Sequence, residues 1–172
     1  MNRSDQAFLF FGSIFMPNMV NSKAWLAEFL WLTITVVLVV LVIWPIRQEI
    51  YNFPFEKSNI YFIVCCVTGL RWLLLLPSTP FAKNLWVKLI LIFICIWVFI
   101  FSFNRFGLFS VFLDEKGIES LTIHLPEERQ IALSKYIASE YIFFSVGAMI
   151  ACVFLPFRLI ISIWRTYNQN TV

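Results

Sequence analysis

Four stretches of this chain are apolar enough to leave water and long enough to cross a bilayer, and that property constrains the fold more than any motif. They are Trp25–Trp44, Ile60–Leu76, Leu85–Phe103 and Tyr141–Trp164. About 20 helical residues, each rising roughly 1.5 Å, span the hydrocarbon core. Inside lipid every backbone N–H and C=O must be satisfied within the protein, so the β-branched centre of the first run, TVVLVVLVI, is no obstacle to a helix. Composition points the same way. The 172 residues are 60% hydrophobic and 13% charged, against about 25% charged in a soluble domain. The expected class is an all-α membrane protein, a bundle of four transmembrane helices forming a single domain over residues 1–172.

The connecting segments are short, with one exception. Residues 1–24 contain an apolar stretch, Ala7–Met16, that ends near Pro17. Its weak n-region charge and the lack of a small-x-small site favour an interfacial helix over a cleaved signal. Trp25 and Trp44 bracket the first span as headgroup anchors, and Pro45 and Arg47 are expected to stop it. Residues 47–59 and 77–84 read as short loops, the second with two prolines. The exception is the polar segment 104–140. Its apolar stretches Leu108–Leu113 and Ile118–Leu125 flank Asp114, Glu115, Lys116 and Gly117, which predicts a β-hairpin around a glycine-ended turn. Pro126, followed by Glu127 and Glu128, then opens a short helix leading into the last span.

The last span is the one with clustered small residues. Gly147 and Ala151 stand four apart and share a face, with Ala148 beside them, so a second helix can approach closely there. This run is expected to be the helix on which the others pack. A second pattern is a belt of interrupting charges: Glu28, Arg71, Lys88 and Arg158. Because alternate helices run in opposite directions, all four fall near one membrane face, about 5–9 Å in from the helix ends. Two readings follow for the belt. The long cationic stems snorkel to the headgroups, or the charges act together, with Glu28 clamping Arg71 or Arg158 across helices or the belt forming a binding site.

Several chemistries lack their residues. The aspartates are Asp5 and Asp114, both outside the spans, and the single histidine, His124, lies in the polar segment as a surface side chain. One chain therefore cannot supply bis-His haem ligation, a His-containing zinc cluster or intramembrane aspartyl proteolysis. No nucleotide-binding or nucleophile-elbow motif is present. No cofactor is expected, and no catalysis. Cys65, Cys66, Cys95 and Cys152 all sit within apolar runs and read as small apolar filler. The net charge of +3 comes without any Lys/Arg run, which argues against nucleic acid.

Four spans place both termini on one side. Arg3, Lys23, Lys83 and Arg165 lie there, with Arg71, Lys88 and Arg158 close by, a narrow excess over the six cations opposite. That excess favours cytoplasmic termini. In size, four spans and one polar segment between spans three and four, the chain resembles the entry-exclusion proteins of F-like conjugative plasmids. It is similar in the same respects to the four-span immunity proteins against pore-forming colicins. The resemblance implies a bacterial inner-membrane protein, plasmid-borne in the conjugation case, that binds an incoming partner protein in or at the membrane and blocks its action. In either case the polar segment, with Asp114–Gly117 at its tip, would choose the partner. The alternatives are a structural or assembly subunit of a larger membrane complex, docking through the small face of the last helix, and, less favoured, a small transporter.

Overall fold

A computed structural model of the protein describes residues 22–76, 79 and 84–169. The interfacial helix expected at Ala7–Met16 and the connection 77–83 lie outside these residues, apart from Thr79. Among the described residues there are five helices and no strand: α1 (Ser22–Glu49), α2 (Glu56–Leu75), α3 (Leu85–Glu115), α4 (Glu119–Thr122) and α5 (Glu127–Gln169). All but α4 are long and apolar enough to cross a membrane. The chain is a multi-pass, all-α membrane protein.

Each long helix overruns the span read from hydropathy. Pro45 does not stop α1, which continues to Glu49. Proline has no N–H to offer the Leu41 carbonyl, so one rung of the ladder is missing there. Beside it the Tyr136 hydroxyl of α5 donates to the Val42 carbonyl at 3.0 Å. α3 begins at the N-cap Asn84, whose side chain accepts from the Trp86 N–H at 3.1 Å.

The hairpin predicted around Asp114–Gly117 is absent, and this corrects the sequence reading. Residues 104–115 extend α3 without a break. Gly117 adopts φ 70° and donates 3.2 Å to the Leu113 carbonyl, closing the helix with a left-handed cap. A glycine-ended turn serves a hairpin and a helix cap equally well, so the turn signal was right and the element it closed was wrong. Packing decides between them. Phe109 is fully buried, and Phe112 meets Phe55 edge-on at 5.1 Å, contacts spaced for a helix face.

α5 is the central element and packs against each of the other four helices. Ala148, Ala151 and Leu159 on its inner face are buried. The core lies towards the connecting-loop end, where Phe55, Phe62, Phe109 and Tyr141 converge. Tyr141 stacks on Phe109 at 3.8 Å and meets Phe62 edge-on at 5.2 Å. Towards the terminus end a smaller cluster of Leu76, Cys95, Leu155 and Leu159 fills the bundle. The outer faces of α1 and α3 are lined by exposed Phe, Leu, Ile and Val, as lipid contact requires.

Candidate functional site

The four interrupting charges do not act alike, but together they link every spanning helix at one level. Arg71 of α2 donates from Nη1 to Glu28 Oε2 of α1 at 2.5 Å. The Arg71 guanidinium also lies 5.5 Å from the centre of the Trp31 ring, adding a cation–π contact. Arg158 of α5 donates from Nη2 to the Leu74 carbonyl at 3.1 Å, reaching one of the last carbonyls of α2. Lys88 of α3, only 2% exposed, donates to Ser162 Oγ of α5 at 3.0 Å. The links therefore run α1 to α2, α2 to α5 and α5 to α3. Glu28 pairs with Arg71 and not with Arg158.

A groove of about 320 Å³ opens beside the Glu28–Arg71 pair, lined by Trp25, Trp31, Thr68 and Trp72 among others. Its walls come from α1 and α2 alone.

The small face of α5 is engaged inside the bundle. A Cβ at Gly147 would sit 2.7 Å from Cys66 Sγ, and a Cβ at Gly69 would sit 2.7 Å from the Ala151 Cβ. α2 and α5 touch at these two points more closely than any side chain would allow. Gly147 and Ala151 are thus covered by α2, and Ala148 is fully buried with them. Gly69 of α2 is the partner glycine at the second point.

At the opposite end, Asp114, Glu115 and Lys116 are exposed at the corner where α3 ends. This corner is heavily braced. Ser120 Oγ donates to the Gly117 carbonyl at 2.7 Å, and Thr122 and Ser134 bond through their hydroxyls at 3.0 Å. His124, expected as a plain surface side chain, donates from Nε2 to the Glu49 carbonyl at 2.8 Å and caps α1. Arg47 and Glu56 form an ion pair across the α1–α2 turn. Arg129 Nη1 approaches Glu49 Oε1 at 3.7 Å. Between α1 and α5 these residues frame a notch of about 340 Å³ lined by Pro45, Glu49, Leu125, Arg129, Leu133 and Tyr136.

Two polar side chains missed from the sequence meet below this corner. Asn59 Nδ2 of α2 donates to Glu140 Oε1 of α5, with Asn59 fully buried and Glu140 8% exposed. Both had been placed at loop boundaries, because hydropathy puts any polar residue beside an apolar run outside it. The available signal was helical spacing: Leu133, Ile137 and Tyr141 mark the inner face of α5, and Glu140 adjoins it.

The free thiols Cys65, Cys66, Cys95 and Cys152 lie within the spans. No group of three or more His, Cys, Asp or Glu residues is placed to hold a metal among the described residues. No family model, curated protein or solved structure matches this chain.

Proposed function

We propose that this chain is a non-catalytic membrane protein that binds a partner protein through the braced corner outside the bilayer. The observation that carries the reading is the rigid projection of that corner. At about 1.5 Å per residue the 31 residues of α3 and the 43 of α5 greatly exceed a core of about 30 Å. The surplus rises on the side of the connecting turns. There Tyr51 is 96% exposed and Ile123 is 76% exposed, among the charges of Asp114, Glu115, Lys116 and Glu119. Exposed apolar and aromatic side chains ringed by charge suit protein recognition. The notch beside Arg129 supplies a concavity for an inserted side chain.

The partner in this reading is an incoming protein at a bacterial inner membrane, met in conjugal entry exclusion or in immunity to a membrane-active toxin. Cytoplasmic termini would turn the corner to the periplasm, the side from which such a partner arrives. A reporter active only in the periplasm should then be active when fused at Lys116 and silent at the C-terminus. The reverse pattern would place the corner in the cytoplasm and remove the incoming partner from the reading.

The functional test uses recipient cells. Expression of the full chain should lower plasmid receipt or raise survival under a pore-forming toxin. Replacing Asp114–Gly117 with a neutral turn that keeps the glycine should change which plasmid or toxin is blocked, with membrane insertion intact. No change in transfer and none in killing would overturn the reading. The rival, a structural subunit docking through the small face of the last helix, is weakened because α2 already occupies that face.

A further inference from the structure

The Asn59–Glu140 contact has a hydrogen-bond count that only one protonation state completes. Asn59 Nδ2 donates to Glu140 Oε1. The second oxygens of both groups, Asn59 Oδ1 and Glu140 Oε2, are buried and have no hydrogen-bond partner. Both are acceptors if Glu140 is ionised, and neither has a donor within hydrogen-bond distance; the neighbouring Tyr141 hydroxyl, itself buried and unpartnered, does not reach them. An ionised carboxylate there would be a buried charge with one neutral hydrogen bond, an arrangement that burial strongly disfavours. A protonated carboxyl gains one donor. The carboxyl and the carboxamide are both planar, and with that proton they pair in the manner of an acid–amide dimer.

The surroundings supply no countercharge. The ion pairs among the described residues involve Arg47, Arg71 and Arg129, and none reaches Glu140. From α5 itself Tyr136 and Tyr141 flank the carboxyl, and both are neutral phenols. From α2 the facing group is Asn59. From α3 the Arg105 guanidinium rests 5.1 Å from the Phe101 ring centre and forms no ion pair with Glu140. α1 contributes the Val42 carbonyl to Tyr136 and no cation to the carboxyl.

We propose that Glu140 and Asn59 form a proton-binding site at the α2–α5 seam, with Glu140 Oε2–H donating to Asn59 Oδ1 while Asn59 Nδ2 donates to Glu140 Oε1. The bound ligand is a single proton, exchanged with water at the loop end of the bundle. Loss of the proton leaves the Glu140 anion facing the Asn59 Oδ1 acceptor and loosens the seam immediately beneath the corner formed by α3, α4 and α5. The site does not depend on the identity of any partner.

Infrared spectroscopy of the full chain in lipid nanodiscs tests this directly. Wild-type protein near neutral pH should show the C=O stretch of a hydrogen-bonded protonated carboxyl, and Glu140→Gln should abolish that band. Asn59→Leu should keep the band and move it to the higher frequency of a free acid. Glutamine reproduces both hydrogen bonds of the protonated form, so Glu140→Gln should fold and unfold at the acidic-pH midpoint of the wild type. Because the folded state holds a proton that the unfolded state releases, wild-type stability should fall as pH rises from about 5 to about 8. The expected drop in thermal midpoint is roughly 4 °C, and Glu140→Gln should show none. A wild-type spectrum without the carboxyl band, or the same pH profile in wild type and Glu140→Gln, would overturn the proposal.

Discussion

Leucine at Gly147 is expected to lower the thermal midpoint of the detergent-solubilised protein by about 6 °C. A Cβ at this position meets Cys66 Sγ at 2.7 Å, and the three further carbons of leucine have nowhere to go between α2 and α5. Overpacking of this kind costs about 1–3 kcal/mol, and each kcal/mol is worth about 2–4 °C in a chain of this size. Gly147→Ala should be milder, since the Cys66 sulfur can rotate aside. Gly69→Ala should be the harsher of the two alanine changes, because the group it meets, the Ala151 Cβ, belongs to the backbone frame and cannot rotate. Val36→Leu is the control: Val36 is 56% exposed on the lipid face of α1 and the change should leave the midpoint where it was. If Gly147→Leu unfolds at the wild-type temperature, α5 is not the helix that organises this bundle.

Glu28→Gln should destabilise the protein by about 3 kcal/mol, since breaking a buried pair leaves its partner charge uncompensated. Arg71 is 6% exposed and Glu28 accepts from it at 2.5 Å. Among the described residues, the uncompensated guanidinium keeps the Trp31 ring, 5.5 Å away, as a favourable contact. The pair Glu28→Met with Arg71→Met should recover most of the loss, because an apolar pair of similar volume is commonly as stable as the ion pair it replaces. That recovery separates an ion-pair effect from a packing effect. A wild-type midpoint for Glu28→Gln would mean that Arg71 reaches the headgroups by itself, and the α1–α2 link would then have to come from apolar packing.

These two variants probe the two seams that α2 makes with its neighbours. Gly147 sits where α2 and α5 touch in mid-bundle, and Glu28 holds α1 to α2 near the terminus side. α1 has the fewest inward contacts of the long helices and packs mainly on α2. Loss of the Glu28–Arg71 pair should therefore release α1 first. Proteolysis or cross-linking between α1 and α2 would reveal this before global unfolding.

The number of spans, their approximate position and the all-α class follow from the sequence by itself, because lipid leaves the backbone so few ways to satisfy its hydrogen bonds. The small face at Gly147, Ala148 and Ala151 was also legible, since residues four apart share a helix face whatever the rest of the fold does. The shared level of Glu28, Arg71, Lys88 and Arg158 followed from alternating helix direction. What each of those charges bonds to did not. Arg71 and Arg158 stand at similar depths from the ends of their spans, and only the way α1 packs on α2 gives Glu28 to Arg71 and leaves Arg158 with the Leu74 carbonyl. The corner was decided in the same way. The residues around Asp114–Gly117 carry a turn signal that suits a hairpin or a helix cap, and the burial of Phe109 against Tyr141 selects the cap. Asn59 and Glu140 were read as loop residues because hydropathy registers polarity without direction. Their meeting across 81 positions of sequence exists only once α2 and α5 lie side by side.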